Sequence, residues 1–344
     1  MKLIIASTGS YLRVGDTPEL QTLRKTMAAI DRGEKTFADL ADAENEMTRR
    51  AIEEQARAGV ELLTDGQVRW YDPISHLAGK MAGVKINGLL RYFDTNTYFR
   101  QPVLLGNPER KGPLVVEEYR FACNALGHIP TGHEGSVRVA VKPVLTGPYT
   151  LAKLSLAEDE AMKPLEARAD AYAAALAAEV RALGESGANF VQIDEPASIK
   201  HPNDWAVFTR ALEPLIQARD AARKAGRKLH LALYVYFHNA APLYEKLANL
   251  PVDALGLDFT YDAKLADVVA AAGSPRPLGV GLVDGRNTKL ESVTAVARVV
   301  ERLLPKIKGE RAYLGPSCGL EYLPRDRAAA KLELLGKIRA AVNA

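Results

Sequence analysis

Six short apolar runs in this chain each end on a cluster of polar or ionisable residues. They are ELLTDGQVRWYD (61–72), RVAVKPVLTGPYT (138–150), NFVQIDEP (189–196), HLALYVYFHN (230–239), PLGVGLVDGRN (277–287) and AYLGPSCG (312–319). In a parallel barrel the C-terminal ends of all strands open onto one shared face, and ligands bind there. The chemistry is therefore expected at the ends of these runs.

Strands are expected near 2–6, 60–64, 139–145, 189–193, 230–236, 253–258, 278–283 and 311–314, with helical spacing between them. The plainest helices are 43–59, 164–187, 204–226, 287–304 and 325–342; the second is Ala-rich and closes on a Gly signal. Eight strands alternating with helices predict an α/β fold, a single (β/α)8 TIM barrel spanning 1–344 as one domain. The 344 residues, 47% of them hydrophobic, suffice for such a core. No GxGxxG or Walker-type loop follows a strand, which argues against an open nucleotide-binding sheet. Residues 81–137 exceed what one crossover needs, and 82–104 are expected to form an inserted β-hairpin excursion on the catalytic rim. Its aromatics Tyr92, Phe93, Tyr98 and Phe99 either roof a pocket or staple the excursion to the barrel.

The formal charge of +3 arises from 45 basic and 42 acidic residues with no block of like charge, so neither nucleic acid nor a membrane is expected as a partner. The start MKLIIAS is too short an apolar run for a secretory signal, which predicts a cytoplasmic protein. Cys123 and Cys318 lie far apart and form no CxxC, so each thiol is judged alone.

Asp194 and Glu195 close the fourth strand and point to different faces, so one of them projects into the barrel mouth. An inward Asp194 suits an ammonium group or a proton transfer; Glu195 then caps the next helix or pairs with an Arg. Tyr234, Tyr236 and His238 alternate and should share a face. Asp258 ends an apolar run and needs a partner or a ligand. Asp284, Arg286 and Asn287 follow the seventh strand, where Arg286 either grips an anion or braces the loop through Asp284. Cys318 is a candidate nucleophile or soft-metal ligand, or an inert small hydrophobe.

Taken in order, STGSYLRVG (7–15), DGQVRWYD (65–72), VLTGPYT (144–150), VQIDEPA (191–197), the stretch from Tyr234 to Asp258, VDGRN (283–287) and GPSCGLEYLP (315–324) resemble the cobalamin-independent methionine synthase family. Its full-length members contain two (β/α)8 barrels, and it sits in a superfamily with uroporphyrinogen decarboxylase. The resemblance implies a methyl (one-carbon) transferase acting on a small thiol or amino acid. It assigns Asp194 to the substrate amino group and Ser10 to a carboxylate-binding loop. Ser10, Arg13, Gln67, Trp70, Tyr71, Asp72, Glu195, Tyr234, Tyr236, Asp284, Arg286 and Asn287 are expected to bind substrate, and Asp194, His238, Asp258 and Cys318 to carry the chemistry.

The family's catalytic barrel holds zinc through a His-x-Cys pair on the fifth strand, a Glu on the sixth and a Cys on the eighth. Here the first pair reads Tyr234-Val235-Tyr236, Asp258 stands for the Glu, and Cys318 alone matches. The family's acid/base His after the seventh strand is replaced by Arg286. These positions, with Trp70-Tyr71-Asp72, look more like the family's zinc-free N-terminal barrel. No cofactor is expected; a residual zinc site would use His238, Asp258 and Cys318. Besides the transferase, the residues leave open a zinc-independent lyase or decarboxylase, and a non-catalytic barrel that partners a separate catalytic subunit. A folate or another methyl donor, or a donor protein, is the partner the first reading implies.

Overall fold

Pairing between short parallel strands brings the ends of the apolar runs together. In the computed structural model, which describes residues 1–128 and 139–342, the strands are β1 Lys2–Ile5, β2 Leu62–Leu63, β3 in two pieces, Ala140–Val141 and Val144–Thr146, and β4 Phe190–Asp194. They continue with β5 His230–Val235, β6 Ala254–Asp258, β7 Leu278–Val283 and β8 Arg311–Pro316. β3 is interrupted at Lys142-Pro143 because proline has no N–H to give the ladder.

The ring closes through registered pairs. β4 lies beside β3 at Leu145↔Ile193, and β5, β6, β7 and β8 follow in order to β1 at Ile5↔Leu314. β1 meets β2 through an Ala6↔Leu62 bridge, and β2 meets β3 at Leu63↔Val141. The backbone bonds Ser7 N to Leu62 O (3.0 Å) and Lys142 N to Leu63 O (2.8 Å) seal that side. The eight expected strands are all present in an α/β barrel.

Helices cover the outside. Leu165–Glu185 buries a stripe of Ala169, Ala173, Leu176, Val180 and Leu183 and packs on Trp205–Lys224; its small side chains let the two approach closely. Val293–Leu303 begins later than the expected 287 because Ser292 caps it, its hydroxyl accepting from Ala295 N. Helix Thr22–Asp31 is an addition to the expected set, and Val116–Gly127 forms within residues 81–137 after the excursion.

The excursion is a long hairpin, Met81–Arg91 against Tyr98–Arg110, joined by the short strand Leu156–Ala157. It is longer than the expected 82–104. The Gly/Pro-bearing stretch after it runs to 137, and 129–137 lie outside the described residues. Inside the barrel, the Tyr234 ring crosses the floor beneath the mouth. A Cβ on Gly256 would lie 2.2 Å from that ring, so only glycine fits there.

Candidate active site

β4 delivers Asp194 to the centre of the mouth, 6% exposed. Its Oδ2 accepts from the Tyr236 hydroxyl at 2.9 Å, and its Oδ1 accepts from Gln192 Nε2 at 2.7 Å. Burial pushes the carboxyl up to about 7, against the pull of Gln192, Tyr236 and Lys142. Gly9 lies alongside: a Cβ there would meet Gln67 Oε1 at 3.5 Å and Asp194 Oδ2 at 3.9 Å. Gln67 itself adopts φ 51°, the left-handed region that non-glycine residues rarely occupy.

The second half of the mouth comes from β5 to β8. Asp258 is buried, its Oδ1 accepting from Thr260 N (2.9 Å), Thr260 Oγ1 (2.7 Å) and Tyr261 N (3.2 Å). Arg286 places a guanidinium nitrogen 3.6 Å from Asp258 and another 3.5 Å from Asp284, so it braces the loop and neutralises the buried carboxylate together. The same guanidinium lies over the rings of Phe237 (5.7 Å) and Tyr261 (5.4 Å). Phe237 is held at φ 71°, and strain at such a residue persists only where surrounding packing fixes it. Cys318 is fully buried beside Gly285, and burial drives its thiol well above the usual range. It is therefore a neutral thiol, unsuited to act as a nucleophile.

The hairpin roofs this mouth. Tyr92, 1% exposed, packs edge-on against Phe237 (5.9 Å) and Phe93 (4.7 Å), while Phe93 faces Phe237 and His238. Phe99 staples the roof to Tyr92 at 6.1 Å, and Tyr98 is exposed. Tyr92 Oη, His238 Nε2 and Arg286 Nε are buried without a hydrogen-bond partner among the described residues. Buried polar atoms rarely stay unpaired, so three of them around one mouth mark where a polar ligand belongs.

Two members of the mouth escape the sequence reading. Glu321 is half-buried; its carboxyl is raised by desolvation and held back by the hydroxyls of Ser10 and Tyr322 and by Arg13. Tyr322 lies 5.8 Å from Phe237. Neither ends a strand, so the alternation rule gives no signal for them.

Several expected ligand contacts lie elsewhere. Trp70 turns outward, stacks on His76 at 4.8 Å and donates from Nε1 to Glu118 at 3.0 Å. Tyr71 is exposed on the rim between the guanidinium groups of Arg13 (5.1 Å) and Arg100 (5.2 Å). Asp72 caps the turn at Ile74 and Ser75 and ties down Arg100 N. Glu195 accepts from Tyr149 N, Thr150 N and the Thr150 hydroxyl, so it caps the preceding helix, Pro148–Leu154, rather than the next one. Asn287 is exposed and accepts from Lys289 N. Tyr234 belongs to the floor, not the mouth. Strand alternation predicts faces correctly but not depth: Tyr234 and Tyr236 share a face, and one layer separates them.

The family model described as the cobalamin-independent synthase catalytic domain matches residues 7–341. The chain belongs to this family. As a cobalamin-independent synthase it is an enzyme, a methyltransferase of the methionine-synthase type. Among similar proteins, a methionine synthase of Thermococcus kodakarensis is 28% identical over 327 residues, covering 93% of this chain and 89% of the relative. One from Sulfurisphaera tokodaii is 29% identical over 324 residues, covering 93% and 88%. The fold matches a B12-independent methionine synthase from Shewanella sp. W3-18-1 in complex with selenomethionine, with TM-score 0.74, 18% identity and coverage of 99% and 97%. A putative B12-independent methionine synthase from Listeria monocytogenes aligns with TM-score 0.73, 17% identity and coverage of 99% of each chain.

The family's zinc does not fit the residues present here. Tyr234 is in the floor and Tyr236 is committed to Asp194, and phenols are poor ligands for a soft thiolate-type site. Among the described residues, no three His, Cys, Asp or Glu side chains gather around one point. The expected set of His238, Asp258 and Cys318 does not assemble, and Arg286 already supplies the cation that Asp258 faces. No helix of the described residues is long and apolar enough to cross a membrane.

Proposed function

We propose that this enzyme methylates the sulfur of a homocysteine-like amino-acid thiol, with the amino group seated on Asp194. The observation that carries this reading is a buried carboxylate at the centre of the mouth with no direct cationic partner among the described residues. Its two protein contacts are neutral donors, Tyr236 and Gln192. An ammonium ion supplies the missing charge, and a charge-assisted hydrogen bond there contributes about 1.5–3 kcal/mol.

The thiol lies toward His238. Burial lowers the pKa of this imidazole, so it is neutral at physiological pH and its unpartnered Nε2 accepts the thiol proton. The S–CH3 bond then forms as the donor–CH3 bond breaks, with the electron pair leaving on the donor. Tyr234 seals the floor, so the donor, a folate or a methyl-carrying protein, approaches from the rim under the hairpin. No bound metal is required in this scheme. A cytoplasmic location agrees with two unpaired cysteines, which reducing compartments preserve.

The test is incubation of the purified protein with homocysteine and a panel of methyl donors, reading methionine by mass. Methionine formation that falls sharply in His238→Ala and Asp194→Asn supports the reading. Turnover lost on chelation and restored by zinc would overturn the metal-free scheme, and no turnover with any donor would overturn the transferase reading for the isolated chain.

A further inference from the structure

We propose that Lys142 is a positioning residue that keeps Asp194 ionised for an incoming ammonium group, acting across the side chain of Gln192. The inference rests on the amino-acid reading above and adds a residue to it.

Lys142 is fully buried inside the barrel, at the break in β3. Its ammonium can give three hydrogen bonds, yet Gln192 Oε1 is its one acceptor among the described residues. The remaining donors rest on aromatic faces, with Tyr234 at 4.7 Å and Phe190 at 5.9 Å from their centroids. Gln192 is oriented in turn. Its Nε2 donates to Asp194 Oδ1 and to the Thr8 carbonyl, so its oxygen must face the lysine. The result is a relay of Lys142, Gln192, Asp194 and Tyr236, set across β3, β4 and β5.

A methionine or leucine would fill this space without the penalty of burying a charge. What an apolar side chain cannot supply is a positive charge one amide away from Asp194. Asp194 is the charge that acts on Lys142. Around Asp194 stand Gln192, Tyr236 and Lys142, with Tyr92 and Tyr234 as neutral phenols and Glu195 engaged in its cap. On its outer side Lys142 borders a small void shared with Asp65 and Glu118; Glu118 is paired to His76 and Lys80. Burial drives both members of the pair toward neutrality, Lys142 down to about 7 and Asp194 up to about 7, while each charge pulls the other back. Near neutral pH the carboxylate therefore depends on its lysine.

The experiment measures L-methionine affinity by calorimetry from pH 6.5 to 9 for the wild type and Lys142→Met. The readout is the ratio of the two dissociation constants, which cancels titration of the ligand's own amine. A ratio of about five at pH 7, falling toward one by pH 9, is expected, because raising an Asp194 pKa of about 7 by about one lowers its ionised fraction at pH 7 from about one half to about one in eleven. Lys142→Arg keeps a charge and should reduce the pH-7 loss. Lys142→Gln, which removes the charge but keeps a polar donor toward Gln192, carries the same test if Lys142→Met does not fold. A ratio that stays constant with pH would reduce Lys142 to a packing role and overturn the proposal. Methionine's deaminated analogue, 4-(methylthio)butanoate, separates the two claims. Equal wild-type affinity for both compounds sinks the amino-acid reading along with this one. A strong preference for methionine with a flat ratio sinks the Lys142 proposal alone.

Discussion

Replacing Asp194 by Asn should weaken ligand binding while stabilising the protein at alkaline pH, and the two effects share one cause. The carboxyl is 6% exposed, and its pKa rises from 3.8 to about 7 on folding. A carboxyl whose folded pKa lies above its unfolded value binds protons more tightly in the native state. Its ionisation therefore costs nothing below pH 3.8, costs progressively more as pH rises, and reaches its full penalty above about 7. A rise of roughly three in pKa corresponds to a penalty of about 4 kcal/mol. Asn keeps the shape and removes the ionisation, but it disturbs the hydrogen bonds to Gln192 and Tyr236, at about 1 kcal/mol each. The variant should then be more stable by on the order of 2 kcal/mol at about pH 8.5, a few degrees in Tm for a domain of this size. At about pH 5 the advantage should vanish or reverse, because the wild-type carboxyl is then protonated and Lys142 has lost its counter-charge. Loss of the charge-assisted contact should weaken L-methionine binding about 10- to 150-fold. Thermal unfolding at both pH values, with calorimetric titration near neutral pH, checks the pair of effects. Equal destabilisation at the acid and alkaline pH would show that Asp194 carries no buried charge, and unchanged affinity would remove it from the site.

Other positions give sharper structural tests. Glu195→Gln should lower stability by about 1–3 kcal/mol, since one side chain satisfies three donors at the start of Pro148–Leu154; a Tm unchanged from wild type would refute the cap. Gly256→Ala drives a methyl group into the Tyr234 ring and should cost about 1–3 kcal/mol, as overpacking does. Combining it with Tyr234→Leu should recover part of that loss, read by denaturant midpoint. Tyr92→Phe removes a hydroxyl with no protein partner among the described residues, so stability should hold while ligand affinity falls; a lower Tm with unchanged affinity would place that hydroxyl in the scaffold instead. Cys318→Ser should leave methyl transfer active, because the thiol is buried and neutral; complete loss of turnover would restore it to the chemistry.

The barrel is legible in the sequence because each strand announces itself twice, by an apolar run and by the polar cluster that ends it. The mouth is legible where a residue sits at a strand end: Asp194, Asp258, Arg286 and Cys318 all lie there. Legibility fails where side chains leave the strand direction. Trp70, Tyr71 and Asp72 follow β2 by several residues, and the turn carries them to the outer layer, the rim and a cap. Tyr234 falls short of the mouth because a period of two fixes a face and says nothing of depth. Lys142 and Gln192 do carry signals, a lone Lys inside VAVKPVL and a Gln two residues before Asp194 on its own face. Neither residue type is usual inside a strand buried on both faces, and that anomaly is the mark of the relay. The zinc expectation turns on Tyr234 and Tyr236, which fill the floor and hold Asp194 instead of leaving space for an ion.

The most direct measurement is a crystal structure of the protein with L-methionine. The amino nitrogen should lie within hydrogen-bond distance of Asp194, beneath Tyr92, with the sulfur toward His238. A ligand bound outside the mouth, such as beside Tyr71 and Arg100 on the rim, or one bound with its amino group away from Asp194, would contradict the account.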